Sequence, residues 1–218
     1  AAQLNLEFAG RNAIVRIPRI KLSRAIDKAE HGPQQCGPFS GRHCPHHIEM
    51  KIAILGGGHG SHAAAADLSE QGHEVRFWRR NSDALAALGH PPHITLIDAT
   101  GSRDVAIYRV TKDICEAVRG AELILVPGPA TAQEDIAKWM APHLCDGQVV
   151  FLPPGTFGSV VMDRIVRKQG QNAQVTYAET GTLPYLARKR GPNTVAITIR
   201  AVRLPTGTFP LEREIHAL

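Results

Sequence analysis

Short apolar runs alternate with longer segments of helical character from residue 51 to residue 199 of this 218-residue chain. Such runs are typical of strands buried on both faces of a parallel sheet. The predicted strands are residues 51–55, 74–78, 94–97, 121–126, 148–152, 175–178 and 195–199. The predicted helices are residues 62–71, 82–88, 111–118 and 159–168, with one more around Ile136, Trp139 and Met140. This alternation predicts the α/β class, with a doubly wound parallel sheet whose ligand binds at the carboxyl ends of the strands.

A glycine-rich turn follows the first predicted strand. In the sequence KIAILGGGHGSHAAAADL, Gly56 permits a tight turn, and Gly58 lets the backbone approach a pyrophosphate. Ser61 takes the place of the usual third glycine, where a small residue allows the helix and the strand to pack closely. Because the turn follows a strand, opens a helix and is followed by a second strand, it favours a Rossmann-type dinucleotide site over a structural turn in another α/β unit.

The end of the second predicted strand indicates which dinucleotide binds. A carboxylate at this position binds the ribose 2′-hydroxyl and repels a 2′-phosphate, but this chain has Arg79 and Arg80 there. Two guanidinium groups suit contact with phosphate and stacking on adenine. The sequence therefore favours NADP, with NAD as the alternative, because arginines at this position are also found as solvated residues.

Two further residues in the predicted loops invite a functional interpretation. His59 lies in the glycine turn, where it suits contact with a phosphate or substrate, or a solvent-facing position. Glu179 follows a predicted strand and lies beside Thr180, Gly181 and Thr182, which suits a place near the nicotinamide, a helix cap or a salt bridge.

Residues 1–49 lack the pattern of the rest of the chain. They show no sustained helical or strand period, and the strong pattern begins just after Met50. We interpret them as a disordered extension or as sequence foreign to the native product. The potential zinc ligands in this segment are Cys36, His43, Cys44, His46 and His47. Their crowded spacing does not match the paired knuckles of structural zinc sites, so no metal is predicted.

Composition narrows the classes of partner and compartment. Seven of the 25 basic residues and only four of the 20 acidic ones lie in residues 1–49, so the remainder is nearly balanced. This balanced remainder lacks the clustered basic face of a nucleic-acid binder, and the whole chain, with 5% aromatic residues, has few side chains on which bases could stack. No apolar run approaches the roughly 20 residues of a membrane span. The four cysteines show no disulfide framework, which predicts free thiols and a cytoplasmic location.

Three segments together resemble a known family. GGGHGSHAAAADL, VVFLPPGTFGS and AETGTLPYLARK are similar to the cofactor domain of the octopine/nopaline (opine) dehydrogenases, over about residues 50–210. The resemblance implies NADP or NAD as the cofactor, with an amino acid and a 2-oxo acid as substrates. It also implies that Gly56, Gly58, Gly60 and Ser61 form the pyrophosphate loop. The ribose would lie near residues 127–130, which include Pro127, Gly128 and Pro129. The nicotinamide would lie near residues 153–156, which include Pro154. The substrate cleft would be lined by Glu179 and residues 182–185.

The resemblance also implies a domain organisation. In this family a helical domain with the catalytic histidine follows the cofactor domain, which predicts a cofactor domain over residues 50–204 and the beginning of a linker or second domain over residues 205–218. The family's histidine then has no counterpart in this chain, no catalytic residue is assigned, and the chain is expected to bind cofactor without efficient turnover. The alternatives are an oxidoreductase like glycerol-3-phosphate dehydrogenase or ketopantoate reductase, and a nucleotide-binding module without catalysis. The sequence does not predict the oligomeric state.

Overall fold

The computed structural model describes residues 13–15 and 50–211, which form two sheets and five α-helices. The strands are β1 (Ala13–Val15), β2 (Lys51–Leu55), β3 (Glu74–Trp78), β4 (His93–Asp98), β5 (Gly101–Ala106), β6 (Arg109–Thr111), β7 (Leu123–Leu125), β8 (Val149–Leu152), β9 (Thr176–Thr180), β10 (Tyr185–Lys189), β11 (Thr194–Arg200) and β12 (Leu204–Phe209). The helices are α1 (His59–Glu70), α2 (Ser82–Ala86), α3 (Ile114–Val118), α4 (Ala130–Met140) and α5 (Gly158–Lys168).

The larger sheet has the strand order β1-β12-β9-β8-β7-β2-β3-β6. Its six strands from β9 to β6 are mutually parallel, whereas β12 pairs antiparallel with both β9 and β1. Numbered along the chain, the six parallel strands follow the order 3-2-1-4-5-6 of a doubly wound dinucleotide-binding sheet, which confirms the predicted fold class. The strand order reverses between β2 and β7, so a ligand crevice is expected at their carboxyl ends.

The smaller sheet was not predicted. It has the order β10-β11-β4-β5, so β4 and β11, which were expected to extend the parallel sheet, instead belong to this second sheet. It contacts α1, which also packs against β2 and β3 of the larger sheet. The residues of α1 from Gly60 to Leu68 are all buried, and the side chains of Ala63 to Ala66 are fully buried. A helix buried all round needs cover on both sides, and the second sheet supplies it.

The core has two parts, one on each face of the larger sheet. One contains α1, the second sheet and the side chains of β2 and β3 that face them, such as Ile54 and Phe77. The other contains the side chains that α3, α4 and α5 pack against β7 and β8, such as Ile124 and Met162. The crevice between β2 and β7 therefore opens at the edge of a sheet that is covered on both faces.

The ends of the domain and several elements differ from the sequence expectations. Strand β12 extends the larger sheet beyond the boundary expected at residue 204. Residues 13–15 pair with β12, and the rest of the expected extension, with its five potential zinc ligands, lies outside the described residues. The expected helix over residues 111–118 is instead the end of β6 followed by α3. None of the helices in the described part of the chain is both long and apolar enough to cross a membrane.

Candidate functional site

The glycine turn connects β2 to α1 at the point where the strand order reverses. Gly56 has φ +138°, and a Cβ atom there would lie 2.8 Å from Oγ of Ser61. A Cβ atom on Gly60 would lie 2.9 Å from Cδ2 of Leu183 and 3.3 Å from Cβ of Pro127. At Gly58 a Cβ atom would meet no described protein atom within 4 Å. The packing of the protein itself therefore favours glycine at Gly56 and Gly60, whereas the space in front of Gly58 is open to a ligand.

Helix α1 begins beside this open space. Gly58 is its N-cap residue, no described side chain caps the helix, and the first turn contains no acidic residue. The first amide groups of an α-helix lack intrahelical acceptors and, with the helix dipole, favour an anion. The turn therefore fits the pyrophosphate of a dinucleotide.

Two buried polar residues lie in the first turns of α1. Oγ of Ser61 and Nε2 of His62 are buried and have no hydrogen-bond partner among the residues that the structure describes. Nδ1 of His62 lies 2.9 Å from the carbonyl oxygen of Gly58, and its ring meets Phe77 edge to face. Burial lowers the pKa of His62 to about 4, so the imidazole is neutral at pH 7. Sequence reasoning missed His62, although a histidine within an alanine run was the available signal.

Arg79 and Arg80 lie at the carboxyl end of β3, but they point to different places. The guanidinium of Arg79 covers Gly57, where a Cβ atom would lie 2.7 Å from Nε, and its Nη1 donates a hydrogen bond of 3.1 Å to the carbonyl oxygen of Ala84. Burial lowers the pKa of Arg79. Arg80 is exposed and lies 5.3 Å from the centre of the Trp139 ring. Of the two predicted phosphate ligands, only Arg79 is therefore directed at the glycine turn.

A cleft of about 410 Å³ lies beside these arginines, between the end of β3 and α4. Both tryptophans of the chain line it, and their rings are 5.7 Å apart. Its other lining residues include Gly57, Arg79, Thr131, Asp135 and Ile136. An aromatic wall with a guanidinium above it suits a flat heterocycle such as adenine.

The loop after β7 lies across the crevice from the glycine turn. Pro127 contacts the position of a Cβ atom on Gly60, the amide of Gly128 donates a hydrogen bond of 2.9 Å to the carbonyl oxygen of Val126, and Pro129 is the N-cap residue of α4. The structure thus brings this predicted loop together with the glycine turn.

Glu179 acts on the neighbouring loop after β8. Its two carboxylate oxygens accept hydrogen bonds of 3.0 and 2.9 Å from the backbone amides of Phe157 and Ser159, at the start of α5. A side chain on Gly155 would collide with this carboxylate. Pro154 lies half-buried in the same loop. Of the roles that the sequence left open for Glu179, the geometry fits the helix cap.

His59 and Lys189 connect the glycine turn to the second sheet. Nδ1 of His59 accepts a hydrogen bond of 2.9 Å from the backbone amide of Lys189, at the end of β10. Burial and the positive charge of Arg79 lower the pKa of Lys189. Sequence reasoning missed Lys189, because its position beside the turn depends on the second sheet.

A second cavity, of about 480 Å³, lies near the other end of α1. Asp67 accepts hydrogen bonds from Nε of Arg200 at 2.6 Å and from the hydroxyl of Tyr185 at 3.1 Å. Arg200 also pairs with Asp98 at 2.8 Å, and Asp98 pairs with Arg103 at 2.9 Å. No group of three or more potential metal ligands is placed to hold a metal ion here or elsewhere in residues 13–15 and 50–211.

Comparison with known proteins places this geometry among the dehydrogenases. Residues 51–155 match the sequence model of a family described as NAD-dependent glycerol-3-phosphate dehydrogenase N-terminus. An opine dehydrogenase of Arthrobacter sp. (strain 1C) is 30% identical over 164 residues, which cover 72% of this chain and 43% of that protein. A glycerol-3-phosphate dehydrogenase (NAD(P)+) of Leuconostoc citreum (strain KM20) is 35% identical over 96 residues, which cover 43% of this chain and 28% of that protein.

A solved structure of octopine dehydrogenase in complex with NADH and agmatine has a similar fold. It superimposes with a TM-score of 0.60 at 24% identity, over 69% of this chain and 40% of that one. The chain thus spans less than half the length of each of these relatives. The predicted resemblance to the opine dehydrogenases and the predicted cofactor, NADP or NAD, are confirmed. The chain therefore contains an N-terminal NAD-binding domain similar to those of NAD(P)-dependent dehydrogenases.

Proposed function

We propose that this domain serves an opine-type dehydrogenase, which condenses the amine of an amino acid with a 2-oxo acid and reduces the resulting imine. The observation that carries this proposal is the extent of the similarity. The Arthrobacter opine dehydrogenase aligns with 72% of the chain, whereas the glycerol-3-phosphate dehydrogenase model covers residues 51–155 alone. The part of the chain beyond residue 155 contains the last four residues of VVFLPPGTFGS and the AETGTLPYLARK segment, both of which belong to the sequence that resembles the opine dehydrogenases.

The proposed cofactor site follows from the geometry of the crevice. The pyrophosphate would lie at the amides of the first turn of α1, in the open space at Gly58. The adenosine half would occupy the cleft that Arg79 and Trp139 line. The guanidinium of Arg80 lies over the Trp139 ring at this cleft. Pro127, with Gly128 and Pro129, would border the ribose on the nicotinamide side. When bound, the cofactor supplies the hydride, and the domain's residues hold and orient it.

The loop after β8 would border the nicotinamide. The Glu179 carboxylate holds Phe157 and Ser159 and so shapes this loop around Pro154. Because two backbone amides already occupy this carboxylate, we assign it a positioning role and no proton transfer. His62 is neutral and buried behind the turn, so it does not donate the proton that imine reduction requires. We propose that this proton comes from the part of the relatives' length that the chain does not span.

Nucleotide binding and turnover by the 218-residue chain test this proposal together. We expect saturable binding of NADPH or NADH by fluorescence titration. Oxidation of NADPH should stay at background with L-arginine and pyruvate, because the proposed proton donor lies in the part of the relatives' length that the chain does not span. Clear turnover with these two substrates would confirm the opine reaction and contradict the need for a further domain.

The glycerol-3-phosphate dehydrogenase model over residues 51–155 favours a second candidate, reduction of the keto group of a triose phosphate to give a polyol phosphate. Dihydroxyacetone phosphate is the matched substrate for this candidate. NADPH oxidation with dihydroxyacetone phosphate, and none with the amino acid and oxo acid, would replace the opine proposal by this one. If neither NADPH nor NADH bound to the chain, the proposed cofactor site would be wrong.

A further inference from the structure

Strand β10 lies along α1 in the opposite direction. The hydroxyl of Tyr185, at the start of the strand, binds Asp67, and the backbone amide of Lys189, at its end, binds His59. The helix between His59 and Asp67 rises about 12 Å, and the strand between Tyr185 and Lys189 spans about 13 Å, so the two elements stay in register. The end of β10 is therefore held at the first residue of α1, beside the glycine turn.

The side chain of Lys189 faces α1. Side chains alternate between the two faces of a strand, and in β10 Tyr185 and Ala187 are buried whereas Leu186 and Arg188 are exposed. Lys189 shares the face of Tyr185 and Ala187 and is half-buried. Arg188, its neighbour in sequence, lies on the outer face with the same charge.

Lys189 and Arg79 bring two cations to the glycine turn, since the amide of Lys189 binds His59 and the guanidinium of Arg79 covers Gly57. In the described part of the chain, neither forms a salt bridge with a carboxylate, and the first turn of α1 contains no acidic residue. Burial and the positive charge of Arg79 lower the pKa of Lys189, and burial, with smaller contributions from the charges of Lys189 and Arg79, lowers the pKa of His62. Cations near the positive end of a helix dipole repel it as well as each other, so this arrangement is unfavourable unless an anion binds there.

We propose that Lys189 and Arg79 together bind the 2′-phosphate of NADP(H), so that the domain selects NADP(H) over NAD(H). This inference rests on the proposed cofactor site. Arg79 lies at the carboxyl end of β3, the position that recognises the ribose 2′-substituent in this type of fold. The amides of the first turn of α1 already suit the pyrophosphate, which leaves the two cations for the phosphate monoester, with its charge of about −1.5 to −2 at neutral pH.

The affinity of Lys189→Ala for NADPH and NADH tests this inference. Binding can be followed through tryptophan fluorescence, because both tryptophans of the chain line the adjacent cleft. Alanine keeps the backbone amide that binds His59, so the position of β10 is preserved. We expect the dissociation constant for NADPH to rise about tenfold or more, as for loss of a charge-assisted hydrogen bond, and that for NADH to change less than about twofold. Lys189→Arg should retain most of the preference for NADPH.

Arg188→Ala is the matched control, because it removes the same charge one residue away on the outer face. It should leave the affinity for both nucleotides and the melting temperature unchanged, whereas Lys189→Ala should melt at or above the temperature of the wild type, because it removes an unpaired cation. If Lys189→Ala lost affinity for NADPH and NADH equally, or lost affinity for neither, the proposed role of Lys189 would be wrong while the cofactor site would stand. Failure of the wild type to bind either nucleotide would instead overturn the proposed function.

Discussion

The two ends of helix α1 use charged residues in opposite ways. Near its carboxyl end, Asp67 on the helix and Arg200 on the second sheet form a direct pair, which Tyr185 joins through its hydroxyl. Near its amino end, Arg79 and Lys189 bring two positive charges to the helix, and no described carboxylate pairs with either of them.

We infer from this difference that the Asp67–Arg200 pair stabilises the fold, whereas Arg79 and Lys189 serve to bind an anionic ligand. Buried charges that are paired and fully hydrogen-bonded hold two elements in one arrangement, whereas cations left unpaired in a half-buried site raise the free energy of the protein until an anion binds. The paired end should therefore matter for stability and not for nucleotide affinity. The two unpaired cations at the other end should matter for nucleotide affinity and should not add to stability.

Replacement of Asp67 should have the largest effect on stability. Its carboxylate accepts hydrogen bonds from Gln71, Tyr185 and Arg200, and its side chain is only 8% exposed. Asp67→Ala leaves the buried hydroxyl of Tyr185 and the guanidinium of Arg200 without this acceptor. We expect the free energy of unfolding to fall by about 3–4 kcal/mol. This is the lower part of the range for a broken buried ion pair, because the side chain of Arg200 is 37% exposed. Urea denaturation measures the loss.

Asp67→Asn should lose about half as much, because one side-chain oxygen and the volume remain. Glu134→Ala, which breaks the exposed Glu134–Lys138 pair, is the control and should leave the denaturation midpoint unchanged. If Asp67→Asn stayed folded yet bound NADPH much more weakly than the wild type, the separation of the two ends would be wrong.

The buried His62 should make stability depend on pH at the amino end of α1. Burial lowers its pKa to about 4 in the folded chain, from an ordinary value of 6.5. Between these two values the unfolded chain binds a proton that the folded chain excludes, so stability is complete above pH 6.5 and falls as the pH drops toward 4. The shift corresponds to a loss of about 2–3 kcal/mol between pH 7 and pH 4.5.

His62→Gln isolates this contribution, because glutamine can donate to Gly58 but does not titrate. Urea denaturation of both proteins at several pH values should give a shallower loss for the variant between pH 6.5 and pH 4.5. Parallel curves for the two proteins would mean that the imidazole titrates normally and is not held neutral by the fold.

The sequence predicted the parallel sheet and its glycine turn because their signals are local. Strand β2 is a continuous apolar run closed by glycines, as a strand buried on both faces must be. Strand β4, in contrast, alternates between the buried Ile94 and Leu96 and less buried neighbours, the pattern of a strand with one covered face. That alternation was the available signal for a second sheet.

The part of the candidate site that sequence reasoning missed depends on this second sheet. Lys189 is 130 residues from His59 in the chain, and only the pairing of β10 with β11 and its packing on α1 bring the two together. Arg80 was expected to bind phosphate, but its contact with Trp139 depends on how α4 packs against β3. Sequence pattern indicates which residues lie at the ends of strands, whereas tertiary packing decides where their side chains point.

Gly58→Ala should have the smallest effect on stability while weakening binding. Gly58 has φ −80°, which alanine adopts readily, and a Cβ atom there meets no described protein atom within 4 Å. The unfolding free energy should therefore change by less than about 1 kcal/mol, the usual difference between glycine and alanine at an N-cap. The added methyl group would occupy the space proposed for the pyrophosphate, so the dissociation constants for NADPH and NADH should both rise about tenfold or more. Gly56→Ala is the contrasting variant, since at φ +138° and with Ser61 2.8 Å away its methyl group should destabilise the fold itself. A Gly58→Ala protein that binds both nucleotides as well as the wild type would show that the open space at the amino end of α1 is not where the cofactor lies.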